Sequence, residues 1–190
     1  MTDLPILETE RLSLREMTRS DADHLLEVFA DPIAMQHYPS TIDRDGAIAW
    51  IERARASYAR HGFGFWIVER KEDRRFLGQC GLLVQDVHGA TEVEVAYLFA
   101  RQFWGHGYAT EAARACRDWA FTHLAIPRAV SLIRVENLPS IRVAERNGMR
   151  PVSSLVKAGY PHRVYAISRE AWAAKGPRDL KTQGPSDSSA

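Results

Sequence analysis

The chain has 190 residues, of which 45% are hydrophobic, and its 25 basic and 24 acidic side chains give a formal net charge of +1 at pH 7. This length fits one ordinary domain, and the composition excludes a largely disordered chain, a collagen-like fibre and a small disulfide-stabilised protein. The even charge balance gives no electrostatic reason to expect a nucleic-acid or membrane-surface partner.

The first half of the chain predicts one strand, two helices and then three strands. Leu12 and Leu14 alternate with polar residues, which is typical of a strand over residues 6–16. Ser20 and Asp23 have the spacing of a capping box before a helix that Pro32 ends. Further elements are expected at about 43–60 (a helix ended by Gly62) and at 63–70, 75–85 and 91–100 (strands joined by hairpins).

The second half predicts a helix after a Gly-His-Gly loop at 105–107, followed by alternating short elements. These are a strand at 129–135, a helix at 138–146, strands at about 150–157 and 162–169, and a helical turn at 169–174. The order predicts a mixed α/β, or α+β, fold in a single domain over residues 1–174. Residues 175–190 are rich in Gly, Pro, Ser and Asp and are expected to form a disordered tail.

The cysteine, histidine and N-terminal patterns favour a cytoplasmic protein without a metal site. Cys80 and Cys116 are far apart and are expected to be reduced, buried thiols. The seven histidines show no metal-ligand spacing. The first residues lack the pattern of a signal peptide, and no apolar run approaches the roughly 20 residues of a membrane span.

The loop between the 91–100 strand and the next helix has the features of an anion-binding site. Gly105 and Gly107 allow successive backbone N–H groups to face one concavity, to which the helix start adds unpaired N–H groups and its positive dipole end. This combination suits a diphosphate. It is neither a P-loop nor a dinucleotide-binding fingerprint, because it lacks GK[ST] and the third glycine of GxGxxG.

Three motifs in order resemble the GNAT superfamily of N-acetyltransferases. They are Glu94-Val-Ala-Tyr97-Leu98, then Gln102-Phe-Trp-Gly105-His-Gly107-Tyr-Ala109-Thr110-Glu111, then Asn137-Leu-Pro-Ser140 through Gly148. The opening TERLSLRE is similar to the RimJ/RimL-like branch, which includes ribosomal-protein N-terminal acetyltransferases. The resemblance covers about residues 6–170. The chain departs from the family pattern at Ala96, where many relatives have glycine, and at Arg101, where this branch often has proline.

The resemblance implies a GNAT-like fold, with a mostly antiparallel twisted sheet of about seven strands that splays at the cofactor site and about four flanking helices. It implies acetyl-CoA as co-substrate, no metal, and direct attack by a primary amine. The cofactor-binding residues implied are Leu98, Phe99, Gln102, Gly105, His106, Gly107, Tyr108, Ala109, Thr110, Asn137 and Ser140.

Acetyl transfer to an amine requires a proton acceptor, because an ammonium group has no lone pair. Glu92 and Glu94 are two residues apart and therefore share one face of a strand. This pair could simply lie on a solvated face, but the resemblance favours Glu94 as general base, with Glu92 in reserve. Repulsion between the two would raise one pKa.

The resemblance also implies an oxyanion donor and a proton donor for the leaving thiolate. A backbone N–H near Leu98 or Phe99 would polarise the thioester carbonyl. Ser140 is the first candidate for the acid, and Tyr160 is the competing one. Asn137 and Ser140 lie beside Pro139 at the start of a helix, where such residues also act as ordinary caps.

The acceptor stays open at this stage. The branch resemblance favours a peptide N-terminal amine, and the alternatives are a small amine (an aminoglycoside, polyamine or amino acid) or a non-catalytic CoA-binding module. A strongly acidic acceptor cleft would favour a polycationic small molecule. An open groove would favour a peptide N-terminus. His37, Tyr38, Phe63 and Phe65 are expected to line the acceptor pocket. Monomer and homodimer are both compatible with the sequence.

Overall fold

The computed structural model describes residues 4–174 and 181–182. In this part of the chain, nine strands form one sheet and five α-helices pack against it. The strands are β1 Leu7–Glu8, β2 Leu12–Arg15, β3 Phe65–Arg70, β4 Phe76–Val87, β5 Ala90–Phe99, β6 Arg128–Arg134, β7 Arg150–Lys157, β8 Tyr160–Ser168 and β9 Lys181–Thr182. The helices are α1 Ala22–Phe29, α2 Arg44–His61, α3 Tyr108–His123, α4 Leu138–Arg146 and α5 Arg169–Ala173.

The predicted mixed fold is confirmed, since seven of these strands are longer than two residues and the fifth helix is the helical turn expected at 169–174. The hairpins β3–β4 and β4–β5 are antiparallel, as predicted. The expectation of a disordered tail concerns residues 175–190, which lie outside the described residues except for 181–182, where β9 pairs with β1.

Two local predictions near the N-terminus were wrong. The single strand expected at 6–16 is a hairpin of β1 and β2, because the Thr9 hydroxyl accepts a hydrogen bond from the Leu12 N–H at 2.9 Å and closes a turn between them. The predicted capping pair also lies two residues too far along the chain. Asp21, not Asp23, accepts a bond from the Thr18 N–H at 2.7 Å at the start of the helical segment.

The order of the strands in the sheet is β7-β8-β6-β5-β4-β3-β2-β1-β9, and only β5 and β6 are parallel. These two strands are paired over just two positions, Val93 with Ala129 and Glu94 with Val130. Beyond them the strands separate, whereas β4–β5 and β6–β8 are paired along most of their length. The sheet therefore opens at its centre, which is the predicted splay.

The two faces of the sheet have separate cores. Odd-numbered residues of β5, such as Val95 and Phe99, pack in the cluster that contains α3 and α4, and Leu98 packs in the cluster that contains α1 and α2. Cys80 and Cys116 are buried free thiols on the α3 side, with their Sγ atoms 3.4 Å apart. Glu94 therefore shares its face of the sheet with α1 and α2.

The described residues show neither a membrane-spanning helix nor a metal-binding cluster. None of the described helices combines the length and apolar character needed to span a bilayer. Residues 4–174 contain no cluster of three or more His, Cys, Asp or Glu side chains arranged to hold a metal ion.

Candidate active site

The loop from Gly105 to Gly107 joins the end of the splayed strand β5 to the start of α3. Gly105 has φ of +83° and Gly107 has φ of +81°, a left-handed conformation that glycine adopts at little cost. A Cβ atom at Gly105 would meet nothing within 4 Å, and one at Gly107 would meet only Arg11 Nη2 at 3.6 Å. The glycines therefore permit the backbone conformation and leave the surface above it open.

The start of α3 adds donors to this loop. No side chain caps the first N–H groups of α3, so they are available to an anion along with the positive end of the helix dipole. Ala109 and Thr110 lie in this first turn, and Tyr108 is buried beneath it. These features fit a diphosphate.

Two loop side chains are held by neighbouring groups. The His106 ring lies 3.0 Å from the Trp104 carbonyl through Nδ1 and stacks on Tyr108. The Gln102 amide donates to Glu27 of α1 at 3.4 Å, so its side chain turns toward α1 instead of the Gly105–Gly107 loop.

The alternation of β5 determines which backbone groups face the opening. The Ala100 N–H donates to Leu77 on β4, whereas the Val95 carbonyl accepts from the Ser131 hydroxyl on β6 at 2.7 Å. The N–H and C=O of one strand residue point to the same side, and successive residues alternate. The backbone groups of Phe99 therefore face the opening and those of Leu98 face β4, so Phe99 is the better of the two predicted oxyanion donors.

Glu94 lies at the point where β5 and β6 separate. Its Oε1 accepts from the Leu132 N–H of β6 at 3.0 Å, and its Oε2 accepts from the Gln85 amide of β4 at 2.7 Å. Lys157 Nζ is 4.0 Å from Oε2. Burial raises the pKa of Glu94 above its ordinary value, although the Lys157 charge and the two hydrogen bonds oppose this rise. Glu94 is thus a buried carboxylate whose proton affinity is increased.

Glu92 lies on the same face, as predicted, but neither side chain is solvated. Glu92 is buried and pairs with Arg128 through Oε1 at 2.5 Å. The predicted origin of the pKa shift was therefore wrong: burial, not repulsion between the two carboxylates, raises the pKa of Glu94. The arginine partner also distinguishes the two residues, since Glu92 has one and Glu94 has none among the described residues.

Asn137 and Ser140 lie at the start of α4. The Asn137 side chain caps the helix by accepting from the Ser140 N–H at 3.1 Å, which is the ordinary role considered for it above. The Ser140 carbonyl accepts from the buried Tyr97 hydroxyl at 2.8 Å. Both contacts use backbone atoms of Ser140, so its hydroxyl remains available to a substrate.

Tyr160 lies against Arg134, a residue of β6 that the sequence did not connect to it. Its ring is covered by the Arg134 guanidinium at 3.8 Å, and Arg134 pairs with Glu136 at 2.5 Å. Burial and the nearby Arg134 charge lower the pKa of His37. Tyr38 has a raised pKa because it is desolvated and lies near the Glu94 charge.

Two expected acceptor-pocket residues belong to the cores instead. Phe63 is buried on the α3 side of the sheet, next to Trp119. Phe65 is buried under α2, where it stacks with Trp50. His37 and Tyr38, in contrast, lie near Arg134 and Glu94 respectively.

Two residues that were not predicted contribute to the site: Gln85 donates a hydrogen bond to Glu94, and Ser131 joins β6 to β5 where the two strands separate. Ser131 and Gln85 are ordinary polar residues in strands, and no motif distinguishes them. The alternation of β6 could have pointed to Ser131, because a polar residue between Val130 and Leu132 in an apolar strand requires a partner.

The chain belongs to the family described as acetyltransferase (GNAT) domain, which matches residues 11–150. It is 38% identical over 160 residues to a Bacillus subtilis protein named "Uncharacterized protein YkkB", with 84% of this chain and 93% of the relative covered. It is 31% identical over 139 residues to "Uncharacterized N-acetyltransferase p20" of Bacillus licheniformis, with 72% and 78% covered.

Solved structures with different acceptors share the fold. RimL, the ribosomal L7/L12 alpha-N-protein acetyltransferase in complex with coenzyme A, aligns with a TM-score of 0.71 at 18% identity, covering 88% of this chain and 98% of that one. The aminoglycoside acetyltransferase AAC(6')-Ib, in complex with an aminoglycoside and acetyl-CoA, aligns with a TM-score of 0.73 at 16% identity, covering 90% and 99%. The fold therefore leaves the acceptor undetermined.

Proposed function

We propose that this GNAT acetyltransferase transfers the acetyl group of acetyl-CoA to a primary amine by direct attack, with Glu94 as general base. The observation that supports this most is Glu94 itself, a buried carboxylate at the opening of the sheet that has no arginine partner in the part of the chain that the structure describes. The loop at Gly105–Gly107 follows the same strand and would bind the diphosphate.

Residues of this chain can carry out each proton transfer of the proposed reaction. Glu94 takes a proton from the ammonium group, directly or through water, and the neutral amine attacks the thioester carbon. The Phe99 N–H stabilises the negative oxygen that forms. The C–S bond then breaks, and the CoA thiolate takes a proton from the Ser140 hydroxyl, with Tyr160 as the competing donor. The attacking nitrogen, which became positively charged on attack, gives its remaining extra proton back to this donor oxygen through water, and the proton on Glu94 passes to solvent. Amide and free CoA are the products.

For the acceptor, we infer a peptide N-terminal amine. The cation Lys157 lies beside Glu94. A second cation, Arg134, lies two residues beyond Leu132 on β6, where it is paired with Glu136. A polycationic acceptor would be repelled by this arrangement. In the described part of the chain, three buried side-chain nitrogen atoms have no hydrogen-bond partner: Gln79 Nε2 and, next to each other, His37 Nδ1 and Arg134 Nε. The carbonyl groups of a bound peptide would satisfy a donor of this kind.

An acceptor panel tests this inference. Purified protein and acetyl-CoA are assayed for free-thiol release with peptides, polyamines, aminoglycosides and amino acids. We expect turnover with free peptide N-termini and none with the same peptides blocked at the α-amine, because a blocked amide nitrogen is not nucleophilic. Turnover only with a small amine would contradict the peptide acceptor. CoA binding without turnover on any amine would favour the non-catalytic module.

A pair of conservative variants tests the proton donor. Ser140→Ala is expected to lower kcat by about 10²-fold, the usual lower range for acid catalysis, while Tyr160→Phe changes it by less than about threefold. An acetyl thioester of an acidic aryl thiol is the control, because its thiolate needs no proton to leave and should restore the rate of Ser140→Ala. The reverse ranking of the two variants would assign the acid to Tyr160.

A further inference from the structure

The turn between β1 and β2 contacts the first turn of α3 and the loop before it through four hydrogen bonds and an ion pair. Glu111 Oε1 accepts from the Thr9 hydroxyl at 2.5 Å and from the Arg11 N–H at 3.0 Å, and Glu111 Oε2 accepts from Arg11 Nε at 2.7 Å. Arg11 Nη2 lies 2.6 Å from the same Oε2. The fourth hydrogen bond goes from Arg11 Nη1 to the His106 carbonyl at 3.1 Å. Thr9 and Arg11 of the TERL segment therefore meet Glu111, the last residue of the Gln102–Glu111 motif, in space.

The bond to His106 fixes the direction of one peptide group in the diphosphate loop. In a trans peptide, the C=O of one residue and the N–H of the next point in opposite directions. Because the His106 carbonyl points to Arg11, the Gly107 N–H points away from Arg11. The Arg11 guanidinium also lies 4.6 Å from the centre of the Tyr108 ring, so it contacts the loop on both sides of Gly107.

The carboxylate of Glu111 would otherwise oppose anion binding, because it lies in the first turn of α3. Burial favours its neutral form, but the bonds from Thr9 and Arg11 outweigh burial and hold the pKa of Glu111 below its ordinary value. The group is therefore ionised at neutral pH. Arg11 pairs with this negative charge next to the place where a diphosphate would bind.

We propose that Arg11 is a positioning residue for the phosphate-bearing part of the co-substrate: it orients the His106–Gly107 peptide and neutralises Glu111. This inference rests on the proposed acetyl-CoA site. It assigns a role in co-substrate selection to the N-terminal hairpin, which contacts the loop through Arg11. We therefore expect that replacing Arg11 lowers kcat/KM with a co-substrate that carries the diphosphate and leaves kcat/KM unchanged with one that lacks it.

The test compares acetyl-CoA with S-acetylpantetheine, which has the same thioester and lacks the phosphates. Arg11→Met, which keeps the length and removes the charge and donors, should raise the KM for acetyl-CoA by at least about tenfold and leave kcat within about twofold. Its kcat/KM with S-acetylpantetheine should stay within about twofold of the original protein. Glu111→Gln added to Arg11→Met should recover part of the loss, since it removes the unpaired charge.

Arg19→Met is the matched control, because Arg19 forms an ion pair of similar geometry with Glu52, with Nε and Oε1 at 2.7 Å, far from the loop in sequence. Arg19→Met should leave kcat and KM unchanged with both acetyl-CoA and S-acetylpantetheine. An equal loss of kcat/KM with both thioesters, or no loss with either, would overturn the proposal. Thermal unfolding checks that Arg11→Met is folded, and Arg11→Gln, which also removes the charge, replaces it in the comparison if it is not. Failure of the original protein to bind CoA would instead reject the proposed function.

Discussion

Replacement of Glu94 by glutamine is expected to lower turnover near pH 7 by about 10²-fold or more, while the affinity for acetyl-CoA stays nearly unchanged. Glutamine keeps the shape of the side chain and can still accept from the Leu132 N–H, and the Gln85 amide can rotate to match the new NH₂ group. It cannot take a proton from the amine. Steady-state kinetics and calorimetric titration with CoA measure the two quantities separately.

The pH dependence of this variant gives a second readout. Burial raises the pKa of Glu94, so in the original protein the active carboxylate is lost as pH falls through this raised pKa, at a higher pH than for an exposed glutamate. In Glu94→Gln the rate should depend on the deprotonated fraction of the amine and rise toward alkaline pH.

Glu92→Gln is the control, since Glu92 is buried on the same face but paired with Arg128. Original turnover in Glu94→Gln at pH 7 would rule out the assignment. A large loss in Glu92→Gln alone would transfer the role of base to Glu92.

Replacement of Gly107 by valine is expected to weaken CoA binding by tenfold or more, about 1.4 kcal/mol. A β-branched residue is strained at φ of +81°, and its side chain would project beside the N–H groups that start α3. Calorimetric titration of CoA into the folded variant provides the measurement.

Gly89→Val controls for backbone strain, because Gly89 has φ of +82° in the β4–β5 turn and a Cβ there meets nothing within 4 Å. It should lower stability by a similar amount and leave CoA affinity unchanged. The assignment of the diphosphate loop fails if Gly107→Val binds CoA as tightly as the original protein does.

Much of the fold could be predicted from the sequence because residues near the ends of the helices have the capping and turn-forming side chains that these positions require. Gly62 ends α2 in the left-handed conformation, and Asn137 caps α4, both as their residue types indicate. The break between β1 and β2 was missed because TERL continues the strand-like alternation. The turn depends on the Thr9 hydroxyl, and a threonine is equally common inside strands.

The part of the site in which backbone N–H groups would bind the ligand could be predicted from the sequence. The glycine loop and the helix start appear as a motif, because glycine is required there by conformation. The surroundings of Glu94 were not predictable, since Leu132 and Lys157 come from strands that follow it by more than thirty residues along the chain. Sequence spacing does not encode such contacts. The partner of Glu92, Arg128, escaped prediction for the same reason.

The opening between β5 and β6 also bears on how this fold can vary. Past the two paired positions, the strands are joined by the Glu94 carboxylate on the Leu132 N–H and by the Ser131 hydroxyl on the Val95 carbonyl. Backbone ladders join most other strands of the sheet and are largely insensitive to residue type. Here the join depends on two side chains, so single substitutions at positions 94 and 131 can alter the width of the opening while both halves of the sheet stay intact. The carboxylate proposed as general base therefore also sets the separation of the two strands. Only a substitution that keeps the bond to the Leu132 N–H, such as Glu94→Gln, tests its chemistry without changing the opening.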